Sequence, residues 1–204
     1  MNVLTRAAIL LFIAMMIGSG CAGSGVLITQ NNSVIDMPHY SIVAPPDQGW
    51  NLNILDRAYS KISLEKSVNS NAHSMWFNIN WVGSEHMKTW TARQVADDYR
   101  DGELSDMQIK GVMTGMFKLE NVVMGEEVIG DKKFYTMDYV SIRTDMTQRS
   151  SLYLYFPREI DIGVFIVAIY TDGYTGKEML SRSYKPEFIR VLGSLQVTED
   201  TPPR

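Results

Sequence analysis

Hydrophobic and polar residues alternate along several stretches of the chain, as in β-strands that bury one face. Residues 58–64 alternate small or apolar positions with polar or aromatic ones. Across residues 75–82, the odd positions form an apolar face, and Trp76, Asn78 and Asn80 form the opposite face. We therefore predict a strand in each stretch.

After residue 90 the spacing of apolar residues changes from that of a strand to that of a helix. Thr91 and Gln94 form a capping box, in which side chains and backbone at a helix start satisfy each other. Apolar residues then recur at helical spacing, at Ala92, Val95, Ala96 and Tyr99. A helix is predicted here, ending or bending at Gly102, and Asp106 to Met113 can add another turn or two. A second, short helix is predicted after Pro186, whose missing N–H needs no partner in a first turn.

Between the two helices the chain again has the composition of strands. Residues 120–129 and 134–143 flank a short polar turn, which predicts a hairpin. Residues 164–170 are apolar on both faces and predict a central strand. We predict an α+β fold: an antiparallel sheet of about six strands packed with two main helices.

The inward positions of these elements define a predicted core. A chain of this length buries roughly 70% of its unfolded surface, so it needs no disulfide or metal to fold. The predicted core residues are Ile42, Ile62, Leu64, Phe77, Ile79, Trp81, Val95, Tyr99, Val140, Leu152, Leu154, Ile166, Val167, Ala168, Val191, Leu192 and Leu195.

Composition narrows the classes of function. The 204 residues carry a net charge of −4, which counts against nucleic acid as a partner, because such binding depends on clustered cations. The single cysteine excludes an internal disulfide framework and a cysteine-built zinc site. We expect no metal and no cofactor.

Residues 1–20 have the pattern of a secretory signal peptide. The apolar run Ala7–Ile17 is shorter than the roughly 20 residues that a membrane span needs. Arg6 precedes the run and small residues follow it. Gly18 and Gly20 also match the small residues that ordinary signal peptidase requires before its cleavage site.

The segment ending at Cys21 resembles the lipobox of bacterial lipoproteins. Ser19 and Gly20 match the small residues of that motif, and Gly18 stands where the family prefers an aliphatic residue. The resemblance implies that Cys21 carries a lipid and anchors the protein to a membrane of the cell envelope. If the host is Gram-negative, Ala22 favours the outer membrane, facing the periplasm, because Asp at that position retains many lipoproteins at the inner membrane.

We therefore expect a signal peptide at 1–20 and a lipidated cysteine with a flexible tether at 21–37. A single α+β domain is expected at 38–197, and a disordered tail at 198–204.

Two terminal patterns and the order of the elements are similar to those of PsbP-like domains. The patterns are Tyr40-Ser-Ile-Val-Ala-Pro with Trp50 following, and Phe188-Ile-Arg-Val-Leu-Gly-Ser-Leu near the end. A mid-chain helix and a long meander lie between them. The resemblance implies a domain that binds or assembles other proteins and is not an enzyme.

Candidate chemistry is sparse. His39, His73 and His86 each lie in a polar loop or turn by sequence, so we expect them to be exposed, and we predict no catalytic residue. The residues with the composition of an interaction surface are Trp76, Asn78, Asn80, His86 and Trp90. The other interpretation of Trp76 is that a helix covers it as part of the core.

Two hypotheses of function follow. The first is a non-catalytic, membrane-anchored envelope lipoprotein that binds or helps to assemble another envelope component. The alternative is an envelope hydrolase or small-ligand-binding protein whose site is assembled from distant residues. A concave pocket lined by Trp, His and carboxylate would favour the alternative, and a flat sheet with every histidine in solvent would favour the first.

Overall fold

A computed structural model describes residues 26–28, 33–68, 71–82, 89–115, 117–143, 146–160, 162–175 and 183–198. The described chain forms strands β1 (Val26–Leu27), β2 (Val34–Asp36), β3 (Tyr40–Val43), β4 (Asn51–Asp56), β5 (Lys61–Val68) and β6 (Asn71–Trp81). Helix α1 (Ala92–Thr114) follows, then β7 (Phe117–Ile129), β8 (Lys132–Arg143), β9 (Met146–Tyr155) and β10 (Val164–Thr175). Helix α2 (Lys185–Ser194) and β11 (Gln196–Val197) come last.

The strands form two antiparallel sheets. The larger has eight strands in the order β1-β4-β5-β6-β10-β9-β8-β7, and the smaller has the order β11-β3-β2. The prediction of one sheet of about six strands is therefore wrong. The strands it missed are β1, β2, β3, β4 and β11. They are short or, in β4, have no buried position, so they lack a clear apolar alternation.

The first two strands lie within the segment predicted to be a tether. Val26 pairs with Leu52 of β4, and the backbone N–H of Ile28 donates to the carbonyl of Trp50 at 3.0 Å. Ile35 in β2 is buried. The residues Val26–Ile28 are thus attached to the sheet, and residues 22–25 lie between Val26 and Cys21 in the sequence.

Hydrophobic layers cover both faces of the large sheet. Helix α2 and the small sheet pack on one face, and helix α1 packs on the other. The predicted core residues are confirmed as buried, each exposed by no more than 2%, except for Trp81, Tyr99 and Val140, which are partly buried.

Helix α1 begins as the sequence predicts. Thr91 is its N-cap, and the capping box with Gln94 is present. The helix does not end at Gly102 but continues to Thr114, and the following Gly115 adopts a left-handed φ of 60°. The residues of α1 nearest the sheet lie over β7 and β8.

The strand pairing of the large sheet is irregular at two places. In β7 the pairing with β8 shifts between Glu120 and Val123, and Asn121 has a φ of 54°. In β4 the pairing with β5 shifts between Ile54 and Asp56. Both are β-bulges, which bend a strand and leave a residue outside the ladder.

Candidate functional site

Charged residues from four neighbouring strands line up on one face at one end of the large sheet. Lys66 of β5 pairs with His73 of β6, His73 pairs with Asp172 of β10, and Asp172 pairs with Arg149 of β9. Directly paired residues point to the same face of a sheet. We call Lys66, His73, Asp172 and Arg149 the polar row.

Asp172 is the centre of this row and accepts three side-chain hydrogen bonds. His73 Nδ1 lies 2.6 Å from its Oδ1, Ser183 Oγ donates to its Oδ2 at 3.0 Å, and the Tyr170 hydroxyl donates to Oδ1. An ionised carboxylate only accepts, so His73 donates through Nδ1–H. The pair is sealed from water, with side chains 2% and 4% exposed.

Tyr170 connects this carboxylate to the start of helix α2. Its hydroxyl donates to Asp172 and accepts from the backbone N–H of Tyr184 at 2.7 Å. Burial, and the hydrogen bond to Asp172, raise the pKa of Tyr170 far above its ordinary value of 10.0. The hydroxyl is therefore neutral and fixes the residue that precedes α2.

Aromatic rings close the other side of the row. The Tyr184 ring lies edge-on to His73, with centroids 4.7 Å apart. Lys66 Nζ lies 4.7 Å from the Tyr184 ring centroid and 5.8 Å from that of Trp50. The same ammonium donates to the carbonyl of Gln48 at 2.6 Å. It also pairs with Asp47 Oδ2 at 3.5 Å, so Lys66 is held by aromatic rings, a backbone carbonyl and a carboxylate.

An Asp–His pair is a chemical feature that catalysis can use. The carboxylate fixes the imidazole tautomer, which leaves Nε2 as a base. A base must come within hydrogen-bond distance of its substrate, and the burial of this pair keeps a substrate in solution away from it.

The expectation that every histidine is exposed is wrong for two of them. His39 is buried, with Nε2 3.1 Å from the carbonyl of Ala58, and His73 is buried against Asp172. One signal could have found the pair. His73 continues the inward odd positions of β6, and Asp172 continues the inward even positions of β10.

The predicted interaction surface is only partly in the described residues. Trp76 is 6% exposed and packs in the hydrophobic layer beneath α1, while Asn78 and Asn80 are half-buried on the same face. Asn78 Nδ2 donates to Asn80 Oδ1 at 3.3 Å. Trp90 is half-buried beside the start of α1.

Cys21 and His86 lie outside the described residues. The described part of the chain contains no cluster of three or more His, Cys, Asp or Glu side chains that could hold a metal ion. No helix among the described residues is long and apolar enough to cross a membrane.

Comparison with known proteins gives a structural likeness at low identity. No family model matches the chain, and no curated protein matches it. A crystal structure from Bacteroides thetaiotaomicron VPI-5482 is similar with a TM-score of 0.47 and 11% identity, over 78% of this chain and 45% of that one. The solution structure of the cyanobacterial PsbP (CyanoP) from Synechocystis sp. PCC 6803 is similar with a TM-score of 0.42 and 16% identity, over 90% of this chain and 99% of that one.

The chain is similar in structure to one PsbP at low identity. It spans less than half the length of the Bacteroides protein. At these TM-scores and identities, neither likeness carries an argument about activity.

Proposed function

We propose that this protein is a non-catalytic lipoprotein of the cell envelope, anchored through a lipid on Cys21, whose domain binds or helps to assemble another envelope component. In a Gram-negative host the anchor would lie in the outer membrane and the domain in the periplasm. The observation that carries the proposal is an exposed apolar stripe on helix α1, formed by Ile109, Val112 and Met113.

The stripe occupies the C-terminal half of α1. Val112 is 85% exposed and Met113 is 81% exposed, with Ile109 about half exposed one turn earlier. The N-terminal half of the same exposed face carries charged residues, among them Asp98 and Asp101. Apolar side chains at a spacing of three and four residues are how amphipathic helices bind grooves of partner proteins.

The position of the stripe favours a protein partner. The backbone of α1 comes closest to β7 and β8, and Gly111, among the stripe residues, lies against Phe117 at the start of β7. Strand β7 is at the edge of the sheet opposite β1, the first strand after Cys21. The eight strands of that sheet span seven spacings of about 4.8 Å, or about 34 Å. A domain held at its β1 edge would therefore present α1 away from the lipid.

The first experiment tests the stripe. A photo-crosslinking amino acid replaces Val112 in the anchored protein in membranes, and the control replaces Asp101 on the polar half of the same face. We expect a crosslinked adduct of discrete mass at position 112 and none at 101. Equal labelling at both positions, or none at either, would contradict binding through the stripe.

The second experiment tests the anchor. Cys21→Ser should abolish labelling with radioactive palmitate and release a folded domain from the membrane fraction, or leave the signal peptide uncleaved. Wild-type protein that takes up no lipid and fractionates as soluble would contradict the anchor.

One observation favours the alternative, an envelope hydrolase or small-ligand-binding protein. His73 and Asp172 are 99 residues apart and meet in one polar network, as a site assembled from distant residues requires. Diethyl pyrocarbonate tests whether solutes reach it. We expect His73 to react slowly in the folded protein and rapidly after denaturation, by mass spectrometry, whereas rapid reaction in the native state would favour the alternative.

A further inference from the structure

We propose that the turn joining β4 and β5 contacts the membrane surface beside the lipid anchor. We call residues 54–60 the membrane-side turn. The proposal rests on the lipid anchor at Cys21 that the proposed function includes, and it goes further by naming which part of the domain lies against the lipid.

The direction of β1 carries the first step. Strand β1 is antiparallel to β4, with Val26 opposite Leu52 and Leu27 opposite Asn51. The chain therefore enters β1 from the side on which β4 continues to Ile54 and Leu55. Five residues of chain reach at most about 18 Å. Leu55 is about 10 Å along β4 from Leu52, so the anchor and the turn can reach the same surface.

The membrane-side turn exposes apolar side chains. Ile54, Leu55 and Tyr59 are each about half exposed. The register shift between Ile54 and Asp56 leaves Leu55 outside the ladder with β5. Aliphatic and tyrosine side chains together are typical of a surface that rests at the level of lipid headgroups, because tyrosine has an apolar body and a polar tip.

The charge of the turn complements an anionic bilayer. Arg57 is exposed, while Asp56 is half-buried and accepts the backbone N–H of Tyr59 at 3.2 Å through Oδ1. Lys61 follows the turn directly. The Lys61 ammonium lies 5.9 Å from the Trp76 ring centroid, and burial lowers the pKa of Lys61 to about 8. Arg57 is therefore the exposed cation that the turn presents. Cations near the surface are attracted to anionic lipids.

The turn is also held in one shape, which a surface contact requires. Ser60 is buried in a left-handed conformation with a φ of 46°, and its Oγ accepts the backbone N–H of His39 at 3.1 Å. The His39 imidazole contacts the carbonyl of Ala58. The Tyr59 ring lies edge-on to Trp81, with centroids 5.9 Å apart. Buried His39 thus supports the conformation that exposes Ile54, Leu55 and Tyr59.

The experiment places a fluorescent reporter at the turn of the full, lipidated protein. Because the lipid occupies the thiol of Cys21, a cysteine at Tyr59→Cys is the only thiol free to take a polarity-sensitive nitrobenzoxadiazole label. The protein is reconstituted in vesicles of equal parts phosphatidylcholine and phosphatidylglycerol that carry a shallow spin-labelled lipid. Val128→Cys, an exposed apolar position in edge strand β7, is the matched control.

We expect the label at residue 59 to be quenched several-fold more than the label at 128, with emission shifted to the blue. Leu55→Cys is a second reporter, which leaves the ring contact of Tyr59 with Trp81 intact, and it should give the same result. Arg57→Glu should reduce quenching at position 55 in these anionic vesicles. Equal quenching at 55, 59 and 128, or stronger quenching at 128, would overturn the contact.

Flotation of the vesicles separates this proposal from the one on which it rests. If wild-type protein does not float with the vesicles, the anchor at Cys21 is wrong and the contact falls with it. If the protein floats but the reporters at 55 and 59 stay as unquenched as that at 128, the anchor stands and only the membrane-side turn is refuted.

Discussion

Two carboxyl groups, one on each face of the large sheet, are withdrawn from water in different ways. Asp172 lies beneath the small sheet and α2 and accepts from His73, Tyr170 and Ser183. Glu103 lies on α1, half-buried, with Tyr99 as its hydrogen-bond donor.

The surroundings of Glu103 determine what its ionisation does to the folded protein. Burial raises the pKa of Glu103 above its ordinary value of 4.5, with Asp106 adding to the shift, while the hydrogen bond from Tyr99 and the charge of Lys110 oppose it. Glu103 thus costs the folded protein stability when it ionises. The number of hydrogen bonds that a buried carboxylate accepts, more than burial itself, decides whether its ionised form destabilises the protein.

The largest expected effect is at Asp172. Asp172→Ala leaves two buried donors, His73 and Tyr170, and the exposed Ser183 without their acceptor, so we expect the free energy of unfolding to fall by about 3–5 kcal/mol. Urea denaturation at pH 7 measures it. The control is Asp138→Ala, since Asp138 is 46% exposed, pairs with Lys185 at 2.9 Å and accepts one buried donor, the hydroxyl of Ser151, so its loss should cost less than the loss of Asp172. Equal costs would show that the network around Asp172 contributes nothing special.

The next largest effect compares the stability lost at the two tyrosine donors, Tyr170 and Tyr99. Tyr170→Phe removes a donor to Asp172 and an acceptor for the N–H of Tyr184, so we expect a loss of about 1–3 kcal/mol. Tyr99→Phe should cost less, because Glu103 can take up a proton once its donor is gone. The same denaturation measurement ranks the two, and a larger loss at Tyr99 would reverse the comparison.

The smallest expected effect is a gain in stability when Glu103 is replaced. Because its pKa is raised in the folded state, stability associated with this group is lost as pH rises from 4.5 through the raised pKa. Glu103→Gln removes that loss and should stabilise the protein at pH 7 by less than about 1 kcal/mol. The gain should vanish below pH 4.5. Unfolding curves at several pH values test this, and a variant less stable than wild type at pH 7 would refute the sign.

The sequence predicted the elements with strong periodicity. The capping box at Thr91 and Gln94 located the start of α1, and the polar turn at 130–133 located the hairpin of β7 and β8. Strand β4 was missed because each of its residues is at least partly exposed, which leaves no buried face to detect. Gly102 misled the boundary of α1, because tertiary contacts of a long helix offset the cost of one glycine.

The polar row could not be recognised in the same way. Its members lie on four strands, and which strands become neighbours depends on the crossover that places β10 beside β6. His73 stands among asparagines and serines, so its local sequence resembles a loop. The alternation of odd and even positions marks His73 in β6 and Asp172 in β10 as facing inward. That alternation does not tell which inward-facing residues contact each other.

The bulge in β7 has a consequence for how copies of this protein behave beside one another. Strand β7 is 13 residues long and ends the large sheet, so its outer edge could pair with the same edge of a second molecule. The left-handed Asn121 breaks the edge between Glu120 and Val123 into two short runs, and Lys118, Glu120, Glu126 and Glu127 place charges along it. A long cross-molecule ladder would have to cross that break and desolvate those charges. The geometry therefore opposes aggregation where molecules are crowded together.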